Sequence, residues 1–175
     1  KATKEDVEKH QIPSGYSLEH WDPNEEPILL LGGVFGANSL GKWIYDWAVF
    51  RHGLGTPLSE MARDLWQLLI QLISKKDFSE ACVSSISGDE RKLIHEFIEG
   101  GERLLDKLNS LLKRCEGLMP KRSKRKGTTQ LGKKEGVEFV EILFGREHQL
   151  RSTKRFVRSM RLWNLRFDAN CHEIL

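Results

Sequence analysis

Three stretches of the chain combine residue types and spacings that could do chemistry. Gly36 to Lys42, GANSLGK, follows the apolar run LLLGGVF. It fits GxxxxGK, in which glycine-rich backbone amides cradle phosphates and the lysine reaches the terminal ones. His95 and Glu99 in HEFIE stand one helical turn apart, as the first ligand and a later position of a zinc-binding HExxH would. Between Lys121 and Lys134, the cations Lys121, Arg122, Lys124, Arg125, Lys126, Lys133 and Lys134 occur without an acid among them. Clustered cations of this kind suit nuclear import, nucleic-acid phosphates or another anionic surface.

The first two patterns lack parts that their chemistry needs. A phosphate loop requires a Ser or Thr after the lysine to hold magnesium, and position 43 is Trp. It also requires a parallel sheet whose later strand supplies a carboxylate for the metal, and no apolar run ending in Asp follows. Gly32, Gly33, Gly36 and Gly41 therefore read as turn and close-packing residues between two core helices, with Ser39 as a helix cap. HEFIE lacks the second histidine, which removes one zinc ligand. Cys82, Cys115 and Cys171 are odd in number, widely spaced and without a CxxC pair, so they suggest neither a disulfide framework nor a four-ligand zinc site. GxSxG is absent. No catalytic, cofactor-binding or metal-ligating residue is predicted, and the expectation is that the chain is not an enzyme.

The third pattern dominates the electrostatics. The formal charge is +3, and removing the seven cations of the basic run leaves −4. The positive character thus belongs to one segment whose partner should be anionic. Aromatic residues for stacking bases are absent from this run, which argues for general anion attraction over sequence-specific recognition. Arg151, Lys154, Arg155 and Arg158 extend the same charge and would also suit acidic lipid or an acidic protein segment. Tyr45 and Asp46 project from the apolar stripe of their helix and are expected to be exposed as part of a partner surface.

The elements that must position these residues read as helices. At 175 residues, with five Trp and eight Phe, the chain can enclose one core without staples. The predicted architecture is all-α, a single-domain antiparallel helical bundle of about five to seven helices. Residues 1–24 form a loose N-terminal lead-in, 25–175 the bundle, and 118–136 an exposed basic loop. Within the bundle the spacing predicts a short apolar helix over Glu25 to Phe35, then Leu40 to Arg51. Thr56 and Pro57 start a third helix with Leu58, Met61, Leu65, Leu68 and Leu72 on one stripe. Asp77 to Ser85 adds a short one. Ser87 and Glu90 match a capping box ahead of the longest periodic stretch, ending near Cys115, which Gly100 and Gly101 interrupt where a kink or a close helix contact is expected. Val137 to Phe144 and Arg146 to about Ala169 complete the set. No apolar run approaches the roughly 18 residues needed to cross a bilayer. The missing initial methionine suggests an excised fragment, and the thiols suggest an intracellular setting, cytoplasmic or nuclear.

The blocks SGYSLEHWDPNEEPILLLGGVFGANSLGKWIYDW and RLWNLRFDANCHEIL resemble an uncharacterised family of filamentous ascomycete proteins. Some of its members carry this block behind a proline-rich extension and are labelled vegetative cell wall protein, a label that fits the extension and not this domain. The resemblance spans nearly the whole chain and implies a fungal intracellular domain, with no activity to carry over. The function expected from all of this is a non-enzymatic protein-protein interaction module, an adaptor or signalling domain of a larger protein. The alternative is a nuclear or nucleic-acid-associated protein using residues 121–134 for phosphate contacts.

Overall fold

The computed structural model describes residues 1–120, 132–145 and 149–175. Among them the chain is mostly helical, with six helices and one small three-stranded sheet. The helices are α1 (Lys4–Lys9), α2 (Ala37–His52), α3 (Pro57–Cys82), α4 (Gly88–Gly117), α5 (Lys133–Leu143) and α6 (Gln149–Cys171). The strands are β1 (Ser17–His20), β2 (Ile28–Leu30) and β3 (Gly33–Phe35), in sheet order β1-β3-β2.

The sheet corrects the helix expected over Glu25 to Phe35. β2 and β3 pair antiparallel across a two-residue turn, Leu30 opposite Gly33 and Ile28 opposite Phe35. Leu31 and Gly32 both have positive φ, 51° and 73°, which is the twist that lets a two-residue turn match paired strands. Ile28, Leu30, Leu31 and all of β3 are buried, so no alternation of polar and apolar residues marks the strands. The N-terminal segment expected to be loose is also built into the fold. β1 lies parallel to β3, α1 starts on a reciprocal Thr3–Asp6 cap, and Ile12, Trp21 and Val34 form a second small core.

The large core is shared by β2, β3 and α2 through α6. Thr56 caps α3 and Pro57 occupies its first turn, as the sequence predicts, but the helix continues to Cys82 and absorbs most of the separate helix expected from Asp77. α4 passes through Gly100 and Gly101 unbroken. Glycine suits that place because a Cβ on Gly100 would lie 3.2 Å from the indole nitrogen of Trp163. α4 and α6 run side by side in opposite directions. Trp163 and Phe167 pack on Phe97, and the Trp163 indole N–H donates to the Phe97 carbonyl at 3.1 Å. α5 packs on α2 at Gly136, where a Cβ would fall 2.4 Å from the ring of Trp47. Lys133 to Gly136 are therefore helical, and the expected basic loop of 118–136 ends earlier than predicted.

Candidate functional site

GANSLGK does follow a strand, as a phosphate loop would, yet the backbone after Gly36 turns at once into helix. Gly36 caps α2, and the Leu40 amide donates to the Gly36 carbonyl at 3.0 Å, so an amide that a phosphate cradle would aim outward is spent along the helix axis. The glycines answer to packing. A Cβ on Gly41 would lie 2.3 Å from Cδ1 of Trp66, and one on Gly36 would overlap the Glu25 carboxylate. Ser39 is not the cap itself but sits in the first turn, where its hydroxyl accepts from the Gly36 amide and donates to the His20 carbonyl. Lys42 pairs with Asp46 on the exposed side of α2, and Trp43 is buried between Phe35 and Phe139.

Tyr45 departs from expectation. It is half-buried, its ring 5.7 Å from that of Trp66, while Asp46 is exposed but engaged with Lys42. His95 and Glu99 are exposed on α4, and Glu99 lies 3.8 Å from Arg103. Among the described residues no group of three or more His, Cys, Asp or Glu is arranged to hold a metal ion. Of the basic run, Lys121, Arg122, Lys124, Arg125 and Lys126 lie outside the described residues. Lys133 and Lys134 open α5, and the Lys133 ammonium sits 4.8 Å above the Phe50 ring. Arg51 reaches Glu141 of the same helix at 2.6 Å, which ties α2 to α5 beside it.

A more coherent site lies between α4 and α6. A groove of about 560 Å³ runs along their outer junction. Leu111 and Phe156 form its apolar floor, Lys107 and Arg114 line it from α4, and Arg155 lines it from α6. Asp106 is its one acid, and Ser110, Ser152 and Ser159 add hydroxyls. Among the described residues no carboxylate forms an ion pair with Lys107, Arg114 or Arg155. The cause is visible in the sequence. Residues three and four away from Lys107 are Arg103, Leu104, Ser110 and Leu111; those around Arg114 are Ser110, Leu111, Gly117 and Leu118; those around Arg155 are Arg151, Ser152, Arg158 and Ser159. None is acidic, so no residue one turn away on the same helix neutralises them, and Asp106 beside Lys107 is the one carboxylate lining the groove.

The rest of α6 continues this character. It carries six cations against one acid, Asp168, which pairs with Lys75 of α3 at 2.8 Å. Arg161 reaches Asp64 at 3.3 Å, whereas Arg151, Lys154 and Arg158 stand exposed along the outer side. Acidic groups concentrate elsewhere. Around the end of α3, Lys76 is buried and pairs with Glu80 at 2.7 Å, with Glu25, Glu26 and Asp77 nearby. Desolvation, reinforced by Asp22 and Asp77, raises the Glu25 carboxyl above its usual range, and desolvation also raises Asp77. Burial pushes the Cys115 thiol up to about 12 and that of Cys171 to about 11. Within the described residues, no helix is long and apolar enough to cross a membrane. No known family, curated protein or solved structure matches this chain.

Proposed function

We propose that the chain is a non-enzymatic interaction module, an antiparallel helical bundle within a larger fungal protein, that holds an acidic segment of a protein partner in the groove between α4 and α6. One observation carries the reading: Lys107, Arg114 and Arg155 converge from two helices on one groove with no carboxylate of the described residues to pair them. Three exposed cations without an ion-pair partner among the described residues favour an incoming anion by charge complementarity and steer its approach. Leu111 and Phe156 beneath them are buried in the core, so the groove recognises its partner mainly through charge.

Nucleic acid is the weaker fit for the groove, because its one aromatic residue, Phe156, is buried and cannot offer a face to a base. The test compares the intact domain with the triple variant Lys107→Gln, Arg114→Gln, Arg155→Gln in affinity capture, after circular dichroism shows both folded. A protein retained by the intact domain and lost from the variant supports the reading. Equal capture by both refutes the groove as the contact. Tight, steeply salt-dependent binding of duplex DNA or RNA that survives the triple change moves the contact to residues 121–134 and the outer side of α6.

A further inference from the structure

Resting on that reading, we propose that the groove between α4 and α6 recognises a phosphorylated serine or threonine within the partner's segment, and not carboxylates alone. The first argument is charge. The groove holds Lys107, Arg114 and Arg155 against Asp106, a net of two positive charges. A single carboxylate leaves one of these uncompensated. A phosphomonoester, with roughly −1.5 to −2 charge near neutral pH and three acceptor oxygens, closes the balance.

Donor geometry is the second argument. Two of the three cations are arginines, whose planar forks bind phosphate through paired N–H groups, and the lysine adds a mobile point charge. They line the groove from both walls, Lys107 and Arg114 from α4 and Arg155 from α6, so a phosphate seated between the helices has donors available on either side. Ser110 adds a hydroxyl that makes no side-chain hydrogen bond within the described residues. Ser159, by contrast, spends its proton on the Arg155 carbonyl at 3.0 Å.

Shape distinguishes a peptide from a small phosphorylated metabolite. Metabolite sites enclose most of their ligand's surface. This groove is an open trough along two helices, which leaves a free phosphate ester largely in water but admits a chain running lengthwise. Recognition of a phosphorylated acidic segment by clustered arginines is an established mode of peptide binding.

Fluorescence polarisation with the full chain tests this. The probes are three labelled peptide pools with degenerate, acid-biased flanks around a central phosphoserine, glutamate or serine. The expected result is at least about tenfold tighter binding of the phosphoserine pool than of the glutamate pool, in line with added charge-assisted hydrogen bonds. Arg114→Gln and Arg155→Gln, each folded by circular dichroism, should lose about tenfold for the phosphoserine pool. Lys154→Gln, outside the groove, should change it less than about twofold at physiological salt. Phenyl phosphate should compete at millimolar concentration.

Equal binding of the glutamate pool with the same dependence on Arg114 and Arg155 overturns phosphate recognition and leaves the acidic-segment reading standing. Binding of no pool overturns both. Equal loss in Lys154→Gln overturns the groove in favour of diffuse charge. Tighter binding to vesicles containing an anionic phospholipid, lost in the same Arg114 and Arg155 variants, assigns the groove to a membrane surface and refutes the peptide.

Discussion

Replacing Gly41 by Ala separates a glycine that serves packing from one that serves phosphate. In the middle of an exposed helix the change would stabilise by about 1 kcal/mol, because alanine loses less backbone freedom on folding. Here the new Cβ would lie 2.3 Å from Cδ1 of Trp66, 2.7 Å from its Cγ and 3.0 Å from its Cα. The last contact is to backbone, so rotating the indole cannot relieve the overlap, and α2 must move from α3. The Trp66 indole also donates to Asn38 at 2.8 Å and rests against Tyr45, which restrains its escape. Overpacking of this kind costs about 1–3 kcal/mol, and the double collision places it at the upper end. The net expectation is destabilisation by about 2 kcal/mol, or roughly 4–8 °C in Tm for a chain of this size. Urea denaturation by Trp fluorescence and circular dichroism measures it. Gly101→Ala is the matched control. Its Cβ would meet nothing closer than 3.5 Å, in α4, so it should stabilise by up to about 1 kcal/mol. A Trp66→Ala background should remove the part of the Gly41→Ala cost that comes from the ring and leave the 3.0 Å backbone contact. A neutral or stabilising Gly41→Ala in the native background refutes the packing account of this glycine.

Other outcomes follow from burial and charge. Trp163→Ala empties the junction of α4 and α6 and removes the bond to the Phe97 carbonyl, so it should cost about 3–5 kcal/mol by denaturant titration. Folding raises the Glu25 and Asp77 carboxyls, so the folded state holds their protons more tightly than the unfolded chain. Their contribution is full below the ordinary values of 3.8 for Asp77 and 4.5 for Glu25, and is lost as pH rises through the raised folded values. Glu25→Gln should therefore gain stability relative to the native chain as pH rises from 4 towards 7, which urea midpoints across that range would show or contradict. A thiol reagent at pH 8 should modify the half-buried Cys82 in the folded protein, while Cys115 and Cys171, buried and raised to about 12 and about 11, react only on unfolding. Fast reaction of all three would show that burial does not protect them.

Much of the helical fold was legible because it rests on long apolar stripes and specific start residues. Thr56 and Pro57 marked the start of α3, and the stripe through Leu65 and Leu72 marked its buried side, both as found. The sheet was missed for a physical reason. Ile28 to Phe35 is buried on nearly every side, so its apolar run carries neither a period of two nor one of 3.6, and strands of three residues are too short to announce themselves. The available signal was Gly32 between two short apolar runs, a residue suited to the positive φ of the two-residue turn it forms with Leu31. Gly100 and Gly101 read as either a kink or a close helix contact, and α4 is continuous through them, with Gly100 at close contact with Trp163. At the N-terminus, Thr3 followed by Asp6 was a capping pattern hidden inside a charged stretch.

The groove shows where density of charge misleads and its local balance informs. Residues 121–134 hold the most conspicuous cations in the chain, but the described part of that run engages the protein itself, Lys133 lying over Phe50 at the start of α5. On helices the useful question is whether a cation has an acid three or four residues away to neutralise it. Lys42 has Asp46, Lys76 has Glu80 and Arg103 has Glu99, and each is paired in the structure. Lys107, Arg114 and Arg155 have none, and each stays unpaired among the described residues. Lacking an acid one turn away does not by itself leave a cation free, since Arg51, Lys75 and Arg161 also lack one and pair with Glu141, Asp168 and Asp64 of other helices; only the packing of Phe97 against Trp163 and Phe167 told that α4 and α6 bring Lys107, Arg114 and Arg155 to one groove. Local spacing sets the charge state of a surface; long-range packing sets its pattern, and a recognition site needs both.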